Sequence, residues 1–198
     1  MLRGFTSEKI GFVIGQIFYI SKDYKGYFPE RLVSNLHARW LMGANIAYRK
    51  NVFMACGGFD NFFIKYANED SKMAILAITR GFTFNRSPNA IVYHQAMDWA
   101  TKSLLRSARN ASVWPLLKKK YKDHYLRFGP PIKWRLIINS EDYLYILTTP
   151  IFIPLLFARY LLYGERNLKF FFTKWPIYLF LRRCYIYKKA IRNRVIMF

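Results

Sequence analysis

A run of residues that is apolar on both faces constrains the fold of this chain most. It covers residues 8–21 and reads EKIGFVIGQIFYIS, with Gln16 as the one polar break among its alternating apolar positions. Gly11 and Gly15 disfavour a helix, and apolar residues on both faces suit a buried strand better than a half-exposed one. Together with the helical patterns that follow, this run predicts an α/β fold with the strand in its core.

A helix that begins with two carboxylates is predicted further along the chain. Asn68 is a good N-cap residue, Glu69 and Asp70 fill the first turn, an apolar face follows at helical spacing, and Gly81 marks the end. First-turn carboxylates face unpaired N–H groups and the positive end of the helix dipole, which keep them ionised. An ionised carboxylate suits a general base, but for the dipeptide alone helix capping is the commoner role.

Other short motifs near this helix can be interpreted in two ways. Gly43, Ala44 and Asn45 are small enough to let a ligand approach the backbone, but they could equally end a packed strand. His94 follows an apolar strand and could be a metal ligand or a structural histidine. The sequence GGFD at 57–60 predicts a tight turn carrying a buried aromatic ring. Residues 82–85 and 90–94 predict two short strands, with a turn at 87–89.

In chain order these motifs resemble the family-2 glycosyltransferases, which have a GT-A fold. The series is G-A-N-x-A-x-R at 43–49, G-G-F-D at 57–60, E-D at 69–70, R-G-F at 80–82 and V-Y-H at 92–94. The resemblance extends from about Glu8 to Lys120 and covers the acceptor-side half of such enzymes. It implies a partial GT-A fold, followed by C-terminal membrane-associated helices.

The resemblance also implies roles for particular residues. Asp70 would be the catalytic base of an inverting sugar transfer from a nucleotide sugar to a hydroxyl acceptor, and Glu69 would support it. The segment Gly43–Asn45 would line the sugar or acceptor pocket. Mg²⁺ or Mn²⁺ would hold the charge of the leaving nucleoside diphosphate, with His94 in the metal shell.

The family's D-x-D metal motif is missing from this sequence. The aspartates stand at positions 23, 60, 70, 98, 123 and 142, and no two of them are two residues apart. Residues 8–15 resemble the strand that follows D-x-D in the family. We therefore expect a truncated enzyme that depends on a separately encoded N-terminal half to bind the nucleotide sugar. The alternative is a catalytically inactive, basic, membrane-associated remnant or binding module.

Positive charge is concentrated in the second half of the chain. Residues 100–198 carry 20 basic and 4 acidic side chains, a net charge of +16, against +5 for residues 1–99. These basic residues are mixed with apolar and aromatic runs, which favours an anionic membrane surface over nucleic acid as partner. Cys56 and Cys184 show no disulfide or zinc spacing, which indicates a cytoplasmic setting for the catalytic part. The sequence GPP at 129–131 predicts a boundary between domains at 1–128 and 129–198.

Two apolar stretches in this half predict membrane contact. Residues 143–163 carry a single charge, Arg159, and are long enough to span a bilayer core, although Pro150 and Pro154 suit a re-entrant helix and a buried core helix is a further alternative. Residues 170–181 are too few to span and predict either an interfacial helix or one half of a hairpin with the first stretch. The basic residues that follow are expected to lie on anionic headgroups: Arg182, Arg183, Lys188, Lys189, Arg192 and Arg194.

Overall fold

The computed structural model describes residues 1–20, 32–33, 41, 43–95, 101–140, 142–143, 147, 154, 158 and 166–198. Its described part is mixed α/β, with a small sheet and several helices. The chain divides into two compact units. The first contains Met1–Tyr24, Glu30–Met97 and Leu116–Pro130, and the second contains Lys25–Pro29, Asp98–Pro115 and Pro131–Phe198.

The sheet of the first unit is built around β1 (Ile10–Ile20). Two short strands, β2 (Leu32–Val33) and β3 (Ile46–Tyr48), pair with β1 in antiparallel fashion, and β4 (Thr83–Gln95) pairs with it in parallel. The side chains of residues 12–14 and of Ile17 are almost completely buried. The prediction of a buried strand is therefore confirmed, because consecutive residues of β1, which point to opposite faces of the sheet, are both buried.

The residues expected to form two strands and a turn form one long strand instead. β4 continues from Thr83 to Gln95, but its register to β1 shifts between the pairs Gly15–Ser87 and Gln16–Ile91. Residues 88–90 are therefore bulged out of the ladder. Proline has no N–H to donate to a ladder, so Pro88 is tolerated at this bulge and does not end the strand.

Three helices of the first unit surround the glycine and carboxylate motifs: α1 (Lys50–Ala55), α2 (Asn61–Ile64) and α3 (Glu69–Thr79). Gly81 follows α3 with a φ of 89°, as its predicted helix-ending role requires. The turn at 57–60 is present, but the predicted burial of its aromatic ring is wrong. Phe59 is exposed and packs only edge-on against Phe53, with ring centroids 5.2 Å apart.

The helical part of the chain from residue 101 to residue 128 is divided in two. α4 (Thr101–Asn110) leads through a 3-10 turn into α5 (Trp114–Phe128), which has Pro115 in its first turn, where proline needs no N–H partner. Residues of α5 from Leu116 onward belong to the first unit.

The second unit contains α4, α6 (Arg166–Arg192) and a small hairpin of β5 (Ile132–Lys133) and β6 (Ile137–Ile138). Its core includes Leu104 and Ala108 of α4, packed with Tyr178 and Leu179 of α6. The predicted interfacial stretch at 170–181 therefore lies inside a helix of 27 residues, which also contains Pro176.

Within the described residues, no helix has the length and apolar character needed to cross a membrane. The apolar stretch at 143–163 lies mostly outside the described residues, which include only Tyr143, Leu147, Pro154 and Ala158 from it. Its interpretation as a span therefore stays a prediction.

Two of the basic residues expected on headgroups point into the second unit. Arg183 donates to both the Asp142 carboxylate, at 2.7 Å, and the carbonyl of Asn139, at 2.8 Å, and its side chain is buried. Arg182 donates to the same carboxylate and to the Tyr178 hydroxyl. The expectation for Arg182 and Arg183 is therefore wrong, because one buried carboxylate from a distant segment binds both guanidinium groups.

Candidate functional site

The structure brings Asp70 and the small-residue motif together. The backbone N–H of Gly43 donates to Oδ2 of Asp70 at 2.6 Å, across 27 positions of sequence. The Ser71 N–H donates to Oδ1 at 2.6 Å. Hydrogen bonds from N–H groups stabilise an ionised carboxylate. Since a carboxylate offers about four lone-pair positions, two bonds leave Asp70 able to accept a further proton.

The entry into α3 differs from the sequence prediction. Asn68 occupies the N-cap position, but its side chain makes no capping bond and donates to the carbonyl of Tyr66 at 2.7 Å. Ala67, just before it, has a φ of 47°, in the left-handed region that an alanine side chain disfavours. The chain therefore reaches Glu69 and Asp70 through a strained turn, a feature common at functional sites.

Glu69 lies beside Asp70 in the first turn of α3 and is only partly exposed. Its Oε2 atom is buried and has no hydrogen-bond partner in the part of the chain that the structure describes. Most buried carboxylate oxygens are paired, so an oxygen without a partner among the described residues, next to a second carboxylate, is unusual. The structure thus keeps together the two acidic residues that the sequence singled out.

Tyr48 is a residue of this site that sequence reasoning missed. It ends β3, and its hydroxyl is buried without a hydrogen-bond partner among the described residues. Burial, the charge of Asp70 and then Cys56 raise the pKa of Tyr48 well above its ordinary value, so the phenol stays protonated. Its only sequence signal was its position inside G-A-N-x-A-x-R, where the pattern leaves the residue unspecified.

A buried lysine forms an ion pair close to the first turn of α3. Lys72 lies in α3, is almost fully buried, and places its Nζ 3.8 Å from Oδ2 of Asp60. Asp60 also caps α2, because its Oδ1 accepts the Phe62 N–H at 2.9 Å. This ion pair links the start of α2 to α3, and so helps to fix the turn that carries Glu69.

Asn45 and Ala44 have different surroundings, and their predicted pocket-lining role stays a prediction. The buried Asn45 side chain donates through Nδ2 to the carbonyls of Gln16, at 2.7 Å, and Ala90, at 2.8 Å. It thus bridges β1 and β4 at the register shift. Ala44 is exposed. Of the three small residues, only Gly43 contacts Asp70 through a hydrogen bond that the structure records.

His94 lies near the end of β4, partly buried and opposite Tyr19 of β1. Within the described residues, no three His, Cys, Asp or Glu side chains come together in a group that could hold a metal ion. The Mg²⁺ or Mn²⁺ implied by the resemblance, and the place of His94 in its shell, stay predictions.

Comparisons with protein-family models, curated proteins and solved structures found no match to this chain. The geometry around Asp70 combines its carboxylate, a Glu69 oxygen that has no hydrogen-bond partner among the described residues, and the protonated phenol of Tyr48. Such a set suits proton transfer from a neutral hydroxyl.

Proposed function

We propose that this chain is the acceptor-side part of an inverting glycosyltransferase with a GT-A-like fold. The observation that carries the proposal is the Asp70 carboxylate, which accepts the Gly43 N–H at 2.6 Å and follows Glu69 directly in the first turn of α3. A general base must be held in position before the reaction, and the N–H groups of Gly43 and Ser71 hold the Asp70 carboxylate in place. The series of five motifs supports the same assignment.

In the proposed reaction, the acceptor hydroxyl attacks the anomeric carbon of a nucleotide sugar. A bond forms from the acceptor oxygen to that carbon while the bond from the carbon to the diphosphate oxygen breaks, with inversion. The hydroxyl proton passes to Asp70, and the nucleoside diphosphate leaves with the bonding electrons. Glu69 would accept a hydrogen bond from the acceptor and orient it for attack.

The donor site is proposed to come from another polypeptide segment. The sequence has no D-x-D motif, and the described residues form no metal-ligand group of their own. Calorimetric titration of the chain with a nucleoside diphosphate and Mn²⁺ tests this division. We expect no binding tighter than micromolar, and submicromolar binding would contradict the need for a second segment.

The catalytic role of Asp70 is tested by a transfer assay on the chain co-expressed with a donor-binding half encoded beside it. Asp70→Asn keeps the shape but cannot accept the proton, so we expect a loss of about 10²- to 10⁴-fold in transfer rate. Glu69→Gln should reduce the transfer rate by a smaller factor than Asp70→Asn does. Glu8→Gln replaces an exposed carboxylate in the same unit and should transfer like the wild type. Full activity of the Asp70→Asn chain would remove Asp70 from the mechanism.

A second candidate function, a catalytically inactive membrane-associated module, is favoured by the outward face of α6. Phe180 and Ile191 are 64% and 78% exposed, and Ile177 is exposed on the same side. Lys188, on this face, is exposed as well. An apolar stripe flanked by cations is typical of helices that lie in the interface of an anionic membrane.

This second function predicts binding to anionic vesicles by a chain without transfer activity. Replacing Ile177 and Phe180 together by aspartate puts two charges on the apolar stripe and should abolish flotation with such vesicles. Glu8→Gln, which lies in the other unit, serves as the control. Transfer activity in the co-expression assay, with no flotation of the wild-type chain, would rule out the membrane module.

A further inference from the structure

A hairpin that sequence reasoning did not single out carries an exposed tryptophan at its tip. β5 and β6 pair through Ile132–Ile138 and Lys133–Ile137, and the chain reverses between them. The Leu136 N–H donates to the carbonyl of Lys133 at 3.0 Å, which closes a four-residue turn. The two central residues of that turn are Trp134 and Arg135.

Both central residues adopt a backbone conformation that their side chains disfavour. The φ angles are 49° at Trp134 and 61° at Arg135, in the left-handed region. Turns with positive φ at both central positions favour Asn and Gly, because a bulky side chain costs energy there. The conformation of the turn favours Asn-Gly, so a tryptophan and an arginine at these two positions are unfavourable for the turn itself.

Burial does not account for the tryptophan either. Trp134 is 80% exposed, so its ring gains little from the core of its own unit. Large aromatic side chains usually stabilise a fold by burying apolar area. A tryptophan that is strained and exposed together indicates a contact outside the chain.

The final residues of the chain extend this apolar surface. The Phe198 N–H donates to the carbonyl of Leu136 at 2.8 Å, and the Ile138 N–H donates to the carbonyl of Phe198 at 2.7 Å. The C-terminal segment therefore adds to the hairpin as a further extended stretch. Ile196 and Phe198 expose large apolar side chains there, as Leu136 does on the hairpin.

Cations accompany these apolar groups. Lys133 and Arg135 flank Trp134 directly, Arg194 precedes the C-terminal segment, and all three are exposed. The four acidic residues of the half 100–198, at positions 123, 141, 142 and 165, all lie outside the hairpin and the C-terminal segment. The surface formed by residues 133–136 and 194–198, here called the Trp134 surface, is thus aromatic, aliphatic and positively charged.

We propose that the Trp134 surface docks on an anionic lipid bilayer, with the indole of Trp134 at headgroup level. Tryptophan favours this level because its ring is apolar and its N–H is polar. Lys133 and Arg135 would contact lipid phosphates, and Leu136 and Ile196 would reach the acyl boundary. A single-stranded nucleic acid would also use cations and an aromatic ring, but it offers no partner for the aliphatic side chains.

This proposal and the second candidate function both involve an anionic membrane. The proposal places the contact on the β5–β6 hairpin and the second function places it on α6, so each can be disproved without the other. The decisive variant is Trp134→Asn/Arg135→Gly, because Asn-Gly suits the turn and should leave the unit folded with an equal or higher melting temperature. Leu2→Asn/Arg3→Gly is the matched control, since it removes an exposed apolar residue and a cation from the other unit.

Flotation of the full chain is measured with vesicles of phosphatidylglycerol and phosphatidylcholine, and with phosphatidylcholine alone. We expect the Trp134→Asn/Arg135→Gly chain to bind the anionic vesicles about tenfold or more weakly, while the control binds like the wild type. Brominated lipids should quench wild-type fluorescence more than that of Trp134→Phe, which isolates the signal of Trp134.

Equal vesicle binding by the hairpin variant and the wild type would overturn the proposal. If that result is paired with a loss of binding in the α6 variant, the membrane module stands and the Trp134 surface has no part in it. Tight binding of a labelled oligonucleotide that the hairpin variant alone loses, without vesicle binding by the wild type, would assign the surface to nucleic acid and overturn the lipid partner.

Discussion

The backbone nitrogen of Gly43 lies 2.6 Å from Oδ2 of Asp70, and a Cβ atom added to Gly43 would lie only 2.7 Å from Cβ of Asp70. The approach that makes the hydrogen bond therefore also excludes any side chain at position 43. Glycine is required here for proximity, because the contact on the other side is the first side-chain carbon of a helical residue and cannot rotate away.

Gly43→Ala should destabilise the chain by about 1–3 kcal/mol, the usual cost of inserting a methyl group into a filled space. The added carbon would push the 43–45 segment away from α3 and lengthen the bond to Asp70. Urea unfolding measures the change in stability. Ala44→Ser, at the exposed neighbouring position, should change it by less than about 0.5 kcal/mol.

Asn45→Ala should cost about 2 kcal/mol or more, because it leaves the Gln16 and Ala90 carbonyls without the amide that now donates to them. Thermal unfolding and hydrogen exchange at the centre of β1 report the loss. A pocket-lining role without a structural one would leave unfolding unchanged and affect only ligand binding, and that outcome would contradict our interpretation of Asn45.

Tyr48→Phe should leave stability unchanged or raise it by about 1 kcal/mol, since the buried hydroxyl that it removes has no partner among the described residues. In the co-expressed transfer assay the same variant should be slower if the phenol donates to the acceptor. Tyr125→Phe, which removes another buried and unpartnered hydroxyl of the first unit, is the matched control for stability and should not affect transfer.

Alkaline pH should unfold the chain through its buried tyrosines. Burial raises the pKa of Tyr48 and of Tyr125 above the ordinary value of 10.0, so in the folded state both stay protonated beyond that pH. The unfolded chain loses these protons first, and stability, fully present below pH 10, falls as the pH rises further. Phenolate absorbance and circular dichroism should change together. Titration of all tyrosines near pH 10 in the folded chain would contradict this expectation.

Asp142→Ala should destabilise the chain by about 3–5 kcal/mol, because it leaves the buried guanidinium group of Arg183 and the partly buried one of Arg182 without their shared anion. Urea unfolding of the full chain measures this. Glu8→Ala, an exposed carboxylate, should be neutral to within about 0.5 kcal/mol. The triple variant Arg182→Met/Arg183→Met/Asp142→Leu should recover much of the lost stability, since it removes all three charges together.

The elements that the sequence predicted well are those set by local patterning. The apolar run of β1 and the helix from Glu69 to Gly81 each have a period and an end signal in their own residues. The pairing of Gly43 with Asp70 also agrees with the motif series, although the series could not distinguish a ligand pocket from a backbone contact.

The features that the sequence did not reveal depend on distant partners. Arg182 and Arg183 are buried because Asp142 lies 40 and 41 positions away and binds both of them, which no local charge pattern encodes. Similarly, Trp134 and Arg135 occupy turn positions that normally signal themselves by Asn or Gly, so the hairpin had no turn signature. Tyr48 could not be identified from the sequence, because its hydroxyl stands out only through its burial, and burial depends on the fold.

The bulge in β4 has a consequence for how the candidate base could move. Asn45 joins the carbonyls of Gln16 and Ala90 at the register shift, and Gly43, two residues earlier, holds Asp70. A change in spacing between β1 and β4 at that point would therefore be transmitted through three residues to the carboxylate. The position of the Asp70 carboxylate is therefore coupled to the sheet through the hydrogen bonds of Asn45 and Gly43.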